Sequence, residues 1–278
     1  MTRLFVEQLT VIDCAFLDAQ RGLVGESWIV DVELSGDLDE QSMVLDFGEV
    51  KKTLKRAIDD NADHKLVVPG ACRGLSLHRA AGKLQLEFDS AAGRIQHRSP
   101  ASAVCLLQSP AVTGTALAAQ LEPLLLAQMP RNVSGVALTL RHEDIRGASY
   151  HYTHGLKKHQ GHCQRIAHGH RSRLQIRVEG ERDEALEQGW AGRWRDIYLG
   201  TREDVVSRGQ QRIRFEYHSS DGDFALELPE NRCDLLDADS TVERIAEHLA
   251  RRVAAERPGR AVEVRAYEGV MKGAIASA

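Results

Sequence analysis

One pattern constrains the fold of this chain more than any other: it reads twice. Trp28, Val30, Val32 and Leu34 recur at every second position and Gly36 ends the run, the signature of a half-buried strand. The figure returns at Leu174, Ile176 and Val178, alternating with Gln175, Arg177 and Glu179 and closed by Gly180. After the first strand, Asp46 and Glu49 have capping-box spacing, and Phe47, Val50, Leu54, Ala57 and Ile58 form an apolar stripe, predicting a helix over Phe47–Asp59. Alternating segments at Lys83–Phe88, and at Arg212–Tyr217 with Phe224–Leu228 across a Ser-Ser-Asp-Gly turn, read as hairpins. A helix follows in each half, at Thr115–Ala127, interrupted by Pro123, and at Thr241–Ala255. A strand then closes each half, through Val136, Leu138 and Leu140 and through Val262, Val264 and Ala266. The repeated order predicts a tandem duplication of an α+β unit with its seam near Arg146–Ser149, dividing the chain into residues 1–147 and 148–278. Each sheet is expected to be antiparallel with helices over one face.

A length of 278 residues suits two such units, and 42% hydrophobic with 27% charged residues excludes collagen-like and disordered classes. A net charge of −4 supplies no basic field for a phosphate backbone, so nucleic acid is not the expected partner. No window approaches the ~20 apolar residues of a membrane span, and Met1–Phe16, carrying Glu7 and Asp13, does not read as a secretory signal. Five cysteines without a CxxC spacing point to reduced thiols and a cytoplasmic protein.

The chemistry concentrates in one window: seven of the twelve histidines lie between His142 and His170. In His168-Gly169-His170 the imidazoles are two residues apart on a strand, so they share a face at roughly 6.5–7 Å between Cα atoms, close enough for one metal ion. His154 supplies a third ligand if it sits on the preceding antiparallel strand with 157–167 as the connection. Three neutral imidazoles with an open position describe a catalytic zinc site better than a closed one. Two other readings stand beside it: a solvated histidine-rich loop, and a Cys-His-His site with the Cys163 thiolate as ligand.

Tyr152-Thr153-His154-Gly155-Leu156, Gly161-His162-Cys163 and His168-Gly169-His170 together resemble the zinc and cysteine motif of the 6-pyruvoyl-tetrahydropterin synthase and 6-carboxytetrahydropterin synthase (QueD) family. Ser42–Lys51 resembles the start of the family's helix, Ala62-Asp63-His64-Lys65 its Asp-His motif, and Ser240-Thr241-Val242-Glu243 the opening of its later helix. The resemblance implies two tandem tunnelling-fold (T-fold) units, each an antiparallel four-stranded sheet with two helices on one face. It implies Zn2+ on His154, His168 and His170, with Cys163 as general base and Asp63 orienting His64 for proton relay. It also implies pterin binding by Glu243 and by Glu268 at the end of the last strand. Read without the family, Asp63-His64 is a helix C-terminal cap, Ser240-x-x-Glu243 a capping box, and Glu268 a strand-end carboxylate facing water.

The two halves depart from the family in opposite ways. Aligning Gly36 with Gly180 puts Val24 and Glu26 where the second half has His168 and His170, so the first half is expected to be metal-free. The second half has no Asp-His pair between Arg195 and Asp234. In the family the cysteine and the Asp-His pair come from different subunits, so the resemblance implies one complete site built from both halves. The expected function is a zinc-dependent lyase acting on 7,8-dihydroneopterin triphosphate to form 6-carboxy- or 6-pyruvoyltetrahydropterin. The alternatives are a non-catalytic pterin-binding or assembly protein and a zinc hydrolase with the thiol on the metal. Lys157, Lys158, Arg165 and Arg171 lie near this window and could neutralise a triphosphate, or are simply solvated loop charges; none is singled out. Open sheet edges predict a homo-oligomer of two or three chains.

Overall fold

The structure, a computed structural model, describes residues 2–278 and, within them, the side chains other than that of Glu49. The expected Asp46–Glu49 capping box therefore lies outside the described residues; Asp46 Oδ1 accepts from the Gly48 amide at 2.7 Å. The chain opens with a long hairpin of β1 (Thr2–Asp18) and β2 (Gly22–Gly36), followed by α1 (Phe47–Asn61) and β3 (Leu66–Pro69). Then come β4 (Leu75–Ala80), β5 (Lys83–Ser90), β6 (Gly93–Pro100), β7 (Val104–Leu107), α2 (Gly114–Leu126) and β8 (Val133–Arg141). The second run has β9 (Ser149–His154), β10 (His168–Val178), the short β11 (Glu181–Arg182), α3 (Glu184–Arg193) and β12 (Ile197–Thr201). It continues through β13 (Val205–Gly209), β14 (Arg212–Ser219), β15 (Gly222–Pro229), β16 (Cys233–Leu236), α4 (Val242–Glu256), β17 (Val262–Tyr267) and β18 (Gly273–Ser277).

The fold is α+β, two tandem units of the T-fold kind, with each sheet wider than the four antiparallel strands expected. The first has the order β7-β3-β1-β2-β8 and the second β16-β12-β9-β10-β17-β18 with β11 on β10. The outer strands β3 and β7, and β12 and β16, pair in parallel. α1 and α3 carry the chain back over the sheet before β3 and β12 are laid down, and β7 and β16 are reached after the excursions β4–β6 and β13–β15. Pro123 does not end α2, which runs on to Leu126; having no N–H, it withholds the helical hydrogen bond to the Ala119 carbonyl.

The apolar stripes meet as the periodicity predicts. Val50, Leu54, Ala57 and Ile58 of α1 join Leu117 and Leu121 of α2 over Val30, Val32 and Leu34. Ile245, Leu249 and Val253 of α4 close over Leu174, Ile176 and Val264. Each such side chain, fully buried, contributes about 1.5–3 kcal/mol.

A third sheet, β13-β14-β15-β6-β5-β4, crosses between the units. Its central pairing is self-complementary: Leu226 faces His97, with Ala225 on Arg98 and Glu227 on Gln96. The contacts at its ends are reciprocal, Gly93 lying against Pro229 and Gly222 against Pro100. This is the geometry of a two-fold dimer interface within one chain. Near the same axis β2 crosses β10 backbone to backbone: a Cβ on Gly169 would lie 2.7 Å from the Gly25 Cα.

Candidate active site

β9 and β10 are antiparallel, with His154 facing His168 and Tyr152 facing His170. Strand alternation puts His168 and His170 on one face, and the facing register adds His154. The ring centroids are 4.4 Å apart for His154–His168, 5.3 Å for His154–His170 and 5.8 Å for His168–His170. All three residues are at most 1% exposed.

Their hydrogen bonds prepare them to hold a cation. His154 Nδ1 donates to the Ser240 carbonyl at 2.9 Å and His168 Nδ1 to the Arg165 carbonyl at 3.0 Å, which leaves Nε2 of each ring with a lone pair. Among the described residues, His154 Nε2 and both nitrogens of His170 are buried without a hydrogen-bond partner. A buried polar atom left so costs about 1–3 kcal/mol, and a metal ion among the three rings would remove that cost at the two Nε2 atoms. Burial, then the charge of a neighbouring histidine, pushes His154 and His168 well below the ordinary imidazole range, so both are held in the neutral, ligating form. One ligand atom from each of the three lies within 4.8 Å of the others.

Cys163 sits in the connection between β9 and β10, on a short turn over His162–Gln164. Against it, from the other unit, comes the link between α1 and β3. His64 Nδ1 is 2.6 Å from Asp63 Oδ2, and Asp63 Oδ1 accepts from the Asp13 amide at 2.8 Å. The His64 amide donates to the Asp13 carbonyl at 2.8 Å, and His64 has the left-handed φ of 53°, a conformation uncommon outside glycine and associated with functional sites. With Nδ1 committed to Asp63, Nε2 is the atom left for Cys163. The His64, Cys163 and His168 ligand atoms lie within 4.8 Å of one another, and the His64 and His168 rings are 5.2 Å apart. Burial opposes a charge on His64, but the hydrogen bonds to Asp63 and Cys163 outweigh it and push the imidazole up to about 10. The two clusters, remote in sequence, share His168.

Glu268 follows β17 directly, with Oε1 4.0 Å from His170 Nε2 and Oε2 4.0 Å from Lys272 Nζ. Glu243 stays exposed on the first turn of α4, outside this cluster. The capping box expected at Ser240 does not form: Thr241 is the N-cap, accepting from the Arg244 amide, while Ser240 is buried beneath His154. Lys157 pairs with Glu203 and Asp204, and Lys158 with Glu203 and Asp239. Arg171 donates to the Glu143 carbonyl, and Arg165 spans the Asp63 and His64 carbonyls at 3.4 Å.

Sequence reasoning missed Asp13. Its signal was a single carboxylate inside the apolar run Val11–Leu17, and it is 4% exposed with Oδ1 3.2 Å from His170 Nδ1.

Residues 17–75 and 145–277 match the profile of the 6-pyruvoyl tetrahydropterin synthase family, more than half of the chain. The chain belongs to this family. The matched segments of this family member contain every residue assigned above from sequence: Asp63 and His64 in the first, His154, Cys163, His168, His170, Glu243 and Glu268 in the second. Among solved structures it is similar to the 6-pyruvoyltetrahydropterin synthase of Plasmodium vivax, at 17% identity over 50% of this chain and 97% of that one, with a TM-score of 0.39. The Plasmodium falciparum 6-pyruvoyl tetrahydropterin synthase gives 15% identity over 51% and 98%, with a TM-score of 0.39. No curated protein sequence matches the chain. Among the described residues no helix is long and apolar enough to cross a membrane.

Proposed function

We propose that this chain is a zinc-dependent lyase of the pterin synthase kind, acting on 7,8-dihydroneopterin triphosphate to give 6-pyruvoyl- or 6-carboxytetrahydropterin. Its composite site would draw on two units, residues 1–147 and 148–278. Family membership supports the reaction class. The observation that carries the reading is the placement of the Asp63–His64 couple of one unit against Cys163 and His168 of the other.

His154, His168 and His170 would hold the zinc ion, which when bound supplies a Lewis acid for the substrate's side-chain oxygens. Asp63 accepts the Nδ1 proton of His64, fixes its tautomer and supports its charge. A charged His64 beside Cys163 favours the thiolate, so Cys163 would remove a side-chain proton and His64 return one. The Glu268 carboxylate, at the rim of the cluster, suits paired N–H groups of a pterin ring, and exposed Glu243 is assigned a second pterin contact.

The deciding experiment is mass spectrometry of the product formed from the triphosphate by wild type, Cys163→Ala and His64→Ala, with metal analysis of each. One zinc per chain and turnover lost in both variants are expected. Turnover surviving both substitutions, or a metal-free wild type, would defeat the reading; pterin binding without turnover would put a non-catalytic binding protein in its place.

A second reading has Cys163 as a metal ligand, favoured by the His64, Cys163 and His168 ligand atoms also lying within 4.8 Å of one another. A sulfur-to-metal absorption band in the cobalt-substituted protein would select it. The outer strands β8 and β18 leave sheet edges for further copies, and a homo-oligomer of two or three chains in the cytoplasm is part of this proposal. A monomer by light scattering would remove the assembly.

A further inference from the structure

Asp13 belongs to β1, in the opposite unit from the three imidazoles, yet its carboxylate touches their surroundings on several sides. Oδ1 lies 3.2 Å from His170 Nδ1 and accepts from Ser27 Oγ at 2.5 Å, and Oδ2 lies 3.4 Å from Lys272 Nζ. Gly269, next to Glu268, has φ +67°, and a Cβ there would meet Asp13 Oδ1 at 2.5 Å, so the 268–272 loop rests directly on the carboxylate. The backbone of the same residue holds the other cluster: its amide donates to Asp63 Oδ1 and its carbonyl accepts from the His64 amide. One residue thus joins a ligand imidazole, the Glu268 loop and the Asp-His couple.

We propose that Asp13 is a positioning residue for the metal centre, orienting His170 across the junction between the units through its Nδ1. This rests on the reading that His154, His168 and His170 hold a metal ion. His154 and His168 have their Nδ1 protons bonded to backbone carbonyls, whereas His170 Nδ1 makes no hydrogen bond among the described residues and has the Asp13 carboxylate 3.2 Å away. A carboxylate there selects the Nδ1–H tautomer, turns Nε2 to the ion and raises the ring's basicity as a ligand. Ser27 and Lys272 hold that carboxylate in turn. The arrangement makes ligand geometry depend on how the two units are seated, because neither unit alone contains both His170 and Asp13.

The test is zinc affinity of the full-length protein by competition with a chromophoric chelator, together with the visible spectrum of the cobalt form. Wild type should bind one zinc, and Asp13→Asn, nearly isosteric, should raise the zinc dissociation constant by roughly ten- to a hundredfold and alter the cobalt d–d bands. Ser27→Ala, which frees the carboxylate without removing it, should move both readouts the same way by a smaller factor, and answers the question if Asp13→Asn does not fold. Wild-type affinity and an unchanged cobalt spectrum in both variants, while His170→Ala loses zinc, would overturn the role of Asp13 and leave the metal site standing. A wild type that binds no zinc would overturn both.

Discussion

Asp63–His64 of the first unit meets Cys163 of the second; on the other side of the internal two-fold, Arg195–Asp196 of the second unit meets Arg21 of the first. The register supports the comparison. Phe16 faces Val24 as His154 faces His168, and Val30 faces Leu140 as Leu174 faces Ala266. Asp196 repeats the left-handed backbone of His64, with φ values of 56° and 53°. At this second junction the groups are exchanged. Glu26 stands for His170 and His142 for Glu268, and the two are 3.2 Å apart. His151 stands for Asp13, and Asp196 holds Arg21 through two bonds of 2.5 and 3.1 Å. The connection that places Cys163 spans 155–167, whereas its counterpart is the tight turn 19–21. Phe16 and Val24 fill the places of two ligands. One junction gathers imidazoles and a thiol, and its symmetry mate has become an ion-paired seam.

The largest expected effect breaks the comparison outright. Zinc chelation, or His154→Ala, should abolish turnover, read by product formation alongside metal content. Next, His64→Ala should lower kcat by roughly 10²–10⁴-fold while zinc stays bound; an equal loss from Asp196→Ala would show that both junctions react.

The dyad itself supplies the third prediction. His97 is buried opposite Leu226, its symmetry counterpart, with neither ring nitrogen partnered among the described residues, and burial pushes it down to about 4. The unfolded chain protonates this imidazole near its ordinary value and the folded chain only near 4, so unfolding takes up a proton in between. Stability should therefore fall by roughly 3 kcal/mol as the pH drops from about 6.5 to 4, and His97→Leu should flatten that slope in denaturant titrations. The smallest effect is expected from Asp196→Ala, about 2 kcal/mol of stability with turnover intact, since Arg21 keeps partial access to water. Denaturant midpoints at one pH would measure it.

Strands with one wet face and helices with clear stripes were legible from residue types alone: β2, β10, α1 and α4 fall where the periodicity puts them. So was the juxtaposition of His154, His168 and His170, because a facing register follows from HxH and one histidine upstream. Other parts carried no such signature. Leu66–Pro69 and Ile197–Thr201 are buried throughout, so β3 and β12 show no alternation. In α3, Gly189, Gly192 and a buried Glu187, tied to Arg182 and to the Ile176 amide, break the stripe. β18 lies past the strand expected to be last. Asp13 and Ser240 act through contacts made across tens of residues, which no local spacing encodes.

The peptide link from β8 to β9, residues 142–148, has a consequence for how the molecule behaves when scarce. Two partners joined by so short a tether meet at an effective concentration of order millimolar, whatever the bulk concentration. Groups supplied by separate chains part on dilution; here His64 and Cys163 travel on one polymer, so their proximity does not depend on concentration.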